Sequence, residues 1–440
     1  MCALATKPTL SDMNEVTAPM KVPATDGGPR ILFASPMCSL DISSGAAMSM
    51  QALLASLASR GYRARALEAQ LFDSDHGGEH VAHAAEGTDL EAHRVLHTVV
   101  SGVEHLMVRT KARLRLEMTA GEQELFIRCY REELQRRRPD MVLLWGDMLL
   151  ERALMREARA LGIPVVFYLV SGNYKSRDTF RDVSVIVTDT QATADLYRER
   201  LGLDCKPIGK FIDPVAFKAA QRNPTYITFI NPAFEKGVNV FMPLAKLAAR
   251  EAPDIKFLVV QSRGRWDTAL QALKYKRDDF PNVTILGQQQ NMKPVYSATK
   301  ALLVPSVWYE SGGRVVVEAL MNGIPVLASG GAGPAELAGE GGIVFDLPPV
   351  VNDNRQERAT EAVVRPWLEE IRRIWKEPQY YGELVAKANK EALKHDLQRN
   401  TDRFVAAVEP AVKQAAAINK ARLATQLPAG ADTSRKEVIS

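Results

Sequence analysis

The sequence predicts an α/β protein of two doubly wound domains facing each other across a cleft, finished by C-terminal helices. Three observations predict it. The 440 residues exceed one ordinary core, at roughly 150 residues per domain. Short apolar runs of strand length alternate with helical periodicity in two separate stretches. Between them lies CKPIGKFIDPVAF (205–217), whose prolines and glycine suit a hinge.

The first stretch follows a polar segment, residues 1–29, that lacks apolar periodicity and reads as a disordered leader. ILFAS (31–35) is a strand, SLDISSGAA a small-residue loop, and Met50, Leu53, Leu54 and Leu57 mark one helix face that closes at Arg60-Gly61. YRARAL (62–67) is the next strand. Residues 70–138 break the rhythm and read as a polar, then helical insertion. His76, His80, His83, His93, His97 and His105 fall here, and without a cysteine or an HExxH pattern an exposed loop and helix is preferred to a metal site. Within it, residues 106–118 carry Arg109, Lys111, Arg113 and Arg115 beside apolar residues. That pattern reads as a solvated helix face, with contact to anionic lipid headgroups as the alternative. MVLLWGD (141–147), VVFYLV (165–170) and SVIVTDT (184–190) then supply strands separated by helices.

The second stretch repeats the rhythm. YITFI (226–230), KFLVV (256–260), VTIL (283–286), KALLVP (300–305), IPVLAS (324–329) and GGIVF (341–345) are strands, and Trp367, Ile371, Ile374 and Trp375 mark a core-facing helix. The expected division is a first domain over 30–212, a hinge at 213–223, a second domain over 224–364, helices over 365–416 and a loose tail over 417–440.

Composition narrows the function. With 46% hydrophobic and 25% charged residues the chain is globular, and 56 basic against 52 acidic residues give no case for nucleic acid. Cys2, Cys38, Cys129 and Cys205 lack zinc or redox spacing and read as free thiols. Neither a signal peptide nor a membrane span is legible, so a cytoplasmic location, at most at the inner membrane face, is expected.

The chemistry concentrates in VPSVWYESGGRVVVEALMNGIPVLAS. A buried strand ends at Ser306, a loop holds Glu310, and a helix starts near Gly312-Gly313 with Glu318 inside it. Glycines at a helix start let backbone amides approach a diphosphate, with the helix dipole behind them. Glu310 is then placed to read sugar hydroxyls and Glu318 ribose hydroxyls.

YESGGRVVVEALMNGIPVLAS, followed by GGAGPAELAGEGGIVF, resembles the donor site of family 4 glycosyltransferases, retaining enzymes of the GT-B fold with two Rossmann-like domains. The glycine loop and first helix in SSGAAMSMQALLASLASRGYRARAL, the strand and turn PIGKFIDPVAF, the loop NPAFEKG and the stretch VTILGQQQNMKPVYSATKALLVPS fall in the family's order. The similarity covers nearly all of residues 30–350 and is weakest over 70–138.

The resemblance implies that Lys236 neutralises the diphosphate leaving group, that Glu310 contacts the donor sugar and that Glu318 binds ribose. It implies Gly45 beneath the phosphates or acceptor, main chain at Gln290, Asn291 and Met292 around the base, and Ser311, Gly312, Gly313 and Arg314 along the donor site. No metal and no cofactor are implied. Asn231-Pro232 stands where many relatives carry a basic residue, leaving Arg263 or Arg314 to supply the charge. Trp145-Gly146-Asp147 stands where many carry a histidine, leaving Asp147 either to contact sugar or acceptor or to cap the following helix.

The expectation is therefore a transferase moving a hexosyl-type sugar from a nucleotide-sugar, UDP first, to an acceptor hydroxyl, for instance in cell-surface glycan synthesis. The acceptor stays open among glycan, lipid, protein and small molecule. A sugar-nucleotide 2-epimerase and an inactive scaffold of the same fold are the alternatives.

Overall fold

Apolar runs bounded by glycine and proline become the strands of two mainly parallel sheets, and the amphipathic segments between them become the covering helices. The computed structural model describes residues 28–74, 77–78, 95–331, 333–349, 351 and 357–426. The first domain runs β1 (Arg30–Met37), α1 (Gly45–Ser59), β2 (Arg63–Leu71), β3 (Val95–Val100), β4 (Val103–Val108), α2 (Ala120–Arg137), β5 (Met141–Leu144), α3 (Leu149–Ala160), β6 (Val165–Leu169), β7 (Val185–Thr188), α4 (Gln191–Leu201) and β8 (Cys205–Pro207). Its sheet has the order β3-β4-β2-β1-β5-β6-β7-β8, parallel except for the β3–β4 pair.

After the short helix α5 (Pro214–Phe217), the second domain runs β9 (Tyr226–Ile230), α6 (Val238–Glu251), β10 (Phe257–Val260), α7 (Trp266–Ala272), β11 (Val283–Leu286), α8 (Lys293–Ala298), β12 (Thr299–Val304), α9 (Arg314–Met321), β13 (Val326–Ser329), α10 (Gly333–Ala338) and β14 (Gly342–Phe345). The order β11-β10-β9-β12-β13-β14 is wholly parallel. Among the parallel strands the order reverses between β1 and β5 in the first sheet and between β9 and β12 in the second. A crevice opens at such a reversal outside the carboxyl ends of the strands.

Among the described residues the second domain is followed by α11 (Glu361–Lys376), α12 (Pro378–Ala392) and α13 (Leu397–Gln426). The α11 face of Trp367, Ile371 and Ile374 is buried in the second domain's core with Phe241 and Phe257. Helix α13 crosses back to the first domain, where Phe404 and Val408 join the core of Met50, Leu53 and Leu57. Ser56 and Thr401 hydroxyls meet there at 2.8 Å, and Asn400 Nδ2 donates to Lys210 O at 2.9 Å. α13 continues past residue 416, where the sequence reading placed the start of a loose tail.

The insertion differs from its helical expectation. Val95–Val108 is a β-hairpin, whose strand β4 extends the sheet beside β2. Its turn, Ser101-Gly102, has φ of 52° and 78°, positive at both residues as a tight hairpin requires. The helix expected over 106–118 is not formed: its start is the end of β4, and a single 3-10 turn, Arg115–Glu117, follows. His105 is fully buried rather than on an exposed helix, with Nδ1 3.2 Å from Glu68 Oε2. His97 is exposed on the edge strand, and His76, His80, His83 and His93 lie outside the described residues.

Candidate functional site

Lys236 and Glu310 are carried by the loops that follow β9 and β12, the neighbouring strands at which the second sheet reverses. Lys236 ends a 3-10 turn, Phe234–Lys236, and Gly237 follows at φ +83°. The turn lies against the β12 loop through Val307 N, which donates to Glu235 O at 3.2 Å. This sets Lys236 Nζ 2.8 Å from Glu310 Oε2, with the lysine 30% and the glutamate 12% exposed. Ser306 Oγ donates to the other oxygen, Glu310 Oε1. A half-exposed cation and a held carboxylate thus share the crevice.

Gly313 is the N-cap of α9 and Gly312 precedes it. A Cβ on Gly312 would come within 3.0 Å of Asp189 Cβ, so the first domain closes directly over this helix start. Ser311 Oγ donates to Asp189 Oδ2 at 3.1 Å, and Lys210 Nζ lies 2.8 Å from the same oxygen, both charges being buried. Ser311 O accepts from Thr190 Oγ1 at 2.6 Å, Tyr309 OH and Thr193 Oγ1 meet at 3.1 Å, and Glu310 backbone bridges to Ser171. Glu336 of the second domain accepts from Gln191 N and Ala192 N at 2.8 and 2.6 Å, supplying carboxylate to the N-terminus of α4.

Glu318 faces inward. It is 3% exposed, with Oε1 2.6 Å from Arg314 Nε and Oε2 accepting from Tyr296 OH at 2.5 Å. Burial pushes its carboxyl above the usual range, and Arg314 and Tyr296 pull it back. Arg314 Nη1 also donates to Ser49 Oγ and Phe211 O, each at 3.2 Å, and a Cβ on Gly45 would lie 3.9 Å from the Arg314 side chain. Glu318, Arg314 and Gly45 therefore form one interior set joining α9 to α1. Removing the carboxylate strands a buried guanidinium, so Glu318→Ala is expected to lose about 3–5 kcal/mol in urea unfolding. Glu318→Gln, which keeps an acceptor for Tyr296, should lose less. A loss below about 1 kcal/mol for the alanine variant would mean the pair has no structural role.

The other sequence-derived residues lie on the rim. Asp147, after β5, accepts from Thr179 Oγ1 at 3.2 Å and stands 3.6 Å from Arg152 Nη2. It does not cap α3, whose N-cap is Met148 without a side-chain bond. Arg263, half exposed, reaches across to Asp73 of the first domain at 3.6 Å. Gln290 and Asn291 are exposed before α8, and Asn291 Oδ1 accepts from Lys293 N at 3.0 Å. Met292, the α8 N-cap, packs between two apolar clusters. Asn231 has φ +66° and accepts from Gly264 N at 2.8 Å, which ties the loops after β9 and β10 together. Among the described residues no group of three or more His, Cys, Asp or Glu is arranged to hold a metal ion.

Sequence reasoning missed Asp189, Lys210, Ser306, Tyr296, Ser49 and Glu336. Asp189 and Ser306 left a signal, each standing at the end of an apolar run where a strand meets the cleft.

Residues 215–377 match the family model described as Glycosyl transferases group 1. No curated protein matches the chain in sequence. Among solved structures, sucrose-phosphate synthase from Thermosynechococcus elongatus superposes with a TM-score of 0.62 at 14% identity, covering 90% of this chain and 100% of that one. Anabaena HepE in complex with UDP and glucose gives 0.60 at 16% identity, covering 87% and 100%. The E. coli trehalose-6-phosphate protein bound with UDP-2-fluoro glucose gives 0.58 at 11%, covering 86% and 98%. These likenesses are of fold, and with the group 1 match over its second domain they identify the chain as a glycosyltransferase of the GT-B fold.

Proposed function

We propose that the chain is a retaining transferase that moves a hexosyl-type sugar from a UDP-sugar to an acceptor hydroxyl, without a metal ion or cofactor. The observation that carries this reading is the meeting of Lys236 and Glu310 at 2.8 Å where the second sheet reverses. The cation neutralises charge developing on the leaving diphosphate, and amides at the α9 N-terminus assist it. Glu310, held by Ser306, orients sugar hydroxyls. The acceptor hydroxyl attacks the face the diphosphate leaves, so the anomeric configuration is kept. UDP is favoured by two fold neighbours whose structures hold UDP or a UDP-sugar. Asp147, at the reversal of the first sheet, is assigned to the acceptor side. Rim main chain at Gln290 to Met292 is assigned to the base, and Arg263 to the phosphates. Reaction in the cytoplasm agrees with the free thiols Cys38, Cys129 and Cys205.

Thermal unfolding with EDTA present tests the donor. A ligand at a hundred times its Kd stabilises the native state by about 2.7 kcal/mol, so UDP-glucose or a related UDP-sugar should raise Tm, while GDP- and ADP-sugars should not. A shift with GDP-sugars alone moves the base assignment, and none with any nucleotide-sugar removes the donor reading. Release of an isomerised UDP-sugar in place of UDP and glycosylated acceptor would make the enzyme an epimerase.

A further inference from the structure

The two most exposed large apolar side chains described are Leu149, 86% exposed, and Leu116, 85%. They stand on adjacent turns. Leu116 belongs to the 3-10 turn Arg115–Glu117, and Leu149 opens α3. Arg115 fastens the two by a two-pronged ion pair to Glu151, its Nη2 2.9 Å from Oε2 and its Nε 3.0 Å from Oε1. Leu114 and Met148, 52% and 40% exposed, belong to the same two segments. Exposed apolar residues are ordinary when scattered singly, whereas four on one stapled ridge mark a contact surface.

The ridge is basic. Lys111 and Arg113 are exposed beside it and Arg115 is turned inward to Glu151. Residues 109–118 set Arg109, Lys111, Arg113 and Arg115 against Glu117 alone. Glu117 and the following Glu122 keep their charge while bound to the strap's own backbone, Glu117 accepting from Leu114 N and Glu122 from Lys111 N and Thr119 N. Asp147, next to Met148, faces Arg152. Topology places the ridge at the cleft. β4 and β5 run parallel in one sheet, so the segments that follow them, 109–118 and 145–149, both leave at its carboxyl end.

We propose that this ridge docks on an anionic membrane surface, with Leu114, Leu116, Met148 and Leu149 entering the headgroup boundary and Lys111 and Arg113 holding anionic lipid. Apolar burial and charge attraction act together in such contacts. A second copy of the chain is the poorer occupant. A two-fold interface sets the same patch against itself and brings the basic groups of both copies together.

The test uses the full chain with phosphatidylcholine vesicles, with and without phosphatidylglycerol, read by co-sedimentation. Binding is expected only with phosphatidylglycerol and should weaken as salt rises. Leu116→Asp and Leu149→Asp should each lower partitioning roughly tenfold or more. Lys111→Glu and Arg113→Glu should each lower it at least about fivefold. All four sites are exposed, so each variant should unfold at the wild-type temperature and keep the wild-type Tm shift with UDP-glucose. Failure of the donor reading would instead appear as no nucleotide-sugar shift in any of them. The proposal is overturned by no binding to anionic vesicles, by binding indifferent to the leucine changes, or by a concentration-dependent dimer that those changes dissolve.

Discussion

Lys236→Ala should lower kcat on the order of 10²- to 10³-fold and leave the fold intact. The group removed is a cation 30% exposed, so its ion pair with Glu310 contributes at most about 1 kcal/mol to stability. Its value lies in the reaction. Negative charge builds on the diphosphate only as the sugar bond breaks, and an interaction stronger in the transition state than in the ground state appears in kcat rather than KM. Glu310→Gln removes the same pair from the other side and should act on both constants, because Glu310 is assigned to the bound sugar. The double variant should cost less than the two single losses combined, since each single change already breaks the shared contact. Steady-state kinetics with the donor identified by thermal shift give the comparison, and unaltered kcat in Lys236→Ala would falsify the leaving-group role.

Gly237→Ala should cost about 2–5 kcal/mol of stability and donor binding with it. Residue 237 has φ +83°, and a Cβ there would stand 1.8 Å from Pro305 O, a backbone atom with little room to withdraw. Left-handed strain of about 1–3 kcal/mol adds to an overpacking cost of similar size. Gly61 separates the two causes, since it has φ +87° and nothing within 4 Å of the added carbon. Gly61→Ala should therefore show the strain alone. Urea unfolding of both variants makes the comparison, and equal losses would mean that contact with Pro305 plays no part. The clash lies between the Lys236 turn and the β12 loop, so relief by separation draws Lys236 away from Glu310.

Most of the two-sheet architecture is legible in the sequence because parallel strands buried on both faces leave short apolar runs, such as VLLW and FLVV, between helical periods. The hairpin Val95–Val108 was missed for a related reason: VLHTVV and VEHLMV mix histidines into both faces, and Ser101-Gly102 is a turn signal only once the flanking runs are seen as strands. At the site, Glu310 was singled out by its place in the loop between a buried strand and the glycine-led helix, and Lys236 only by the resemblance of NPAFEKG to the family's loop. The contact of Arg314 with the first domain was not legible, because Arg314 and Ser49 lie 265 positions apart and meet only when the domains close. Asp189 and Lys210 pair across 21 positions, a spacing that no local period generates.

The return of α13 to the first domain sets an order of assembly. Phe404 and Val408 complete a core whose other members lie between Ile31 and Phe211. A chain made from its N-terminus therefore finishes the second sheet while one face of the first, packed by α1, still lacks the rest of its cover. Until the last helix emerges from the ribosome, that face is open to chaperones and to neighbouring nascent chains. Cleavage at the hinge between the domains would strand the first half in this immature form, whereas joining residues 397–426 to it through a new linker should let it mature alone.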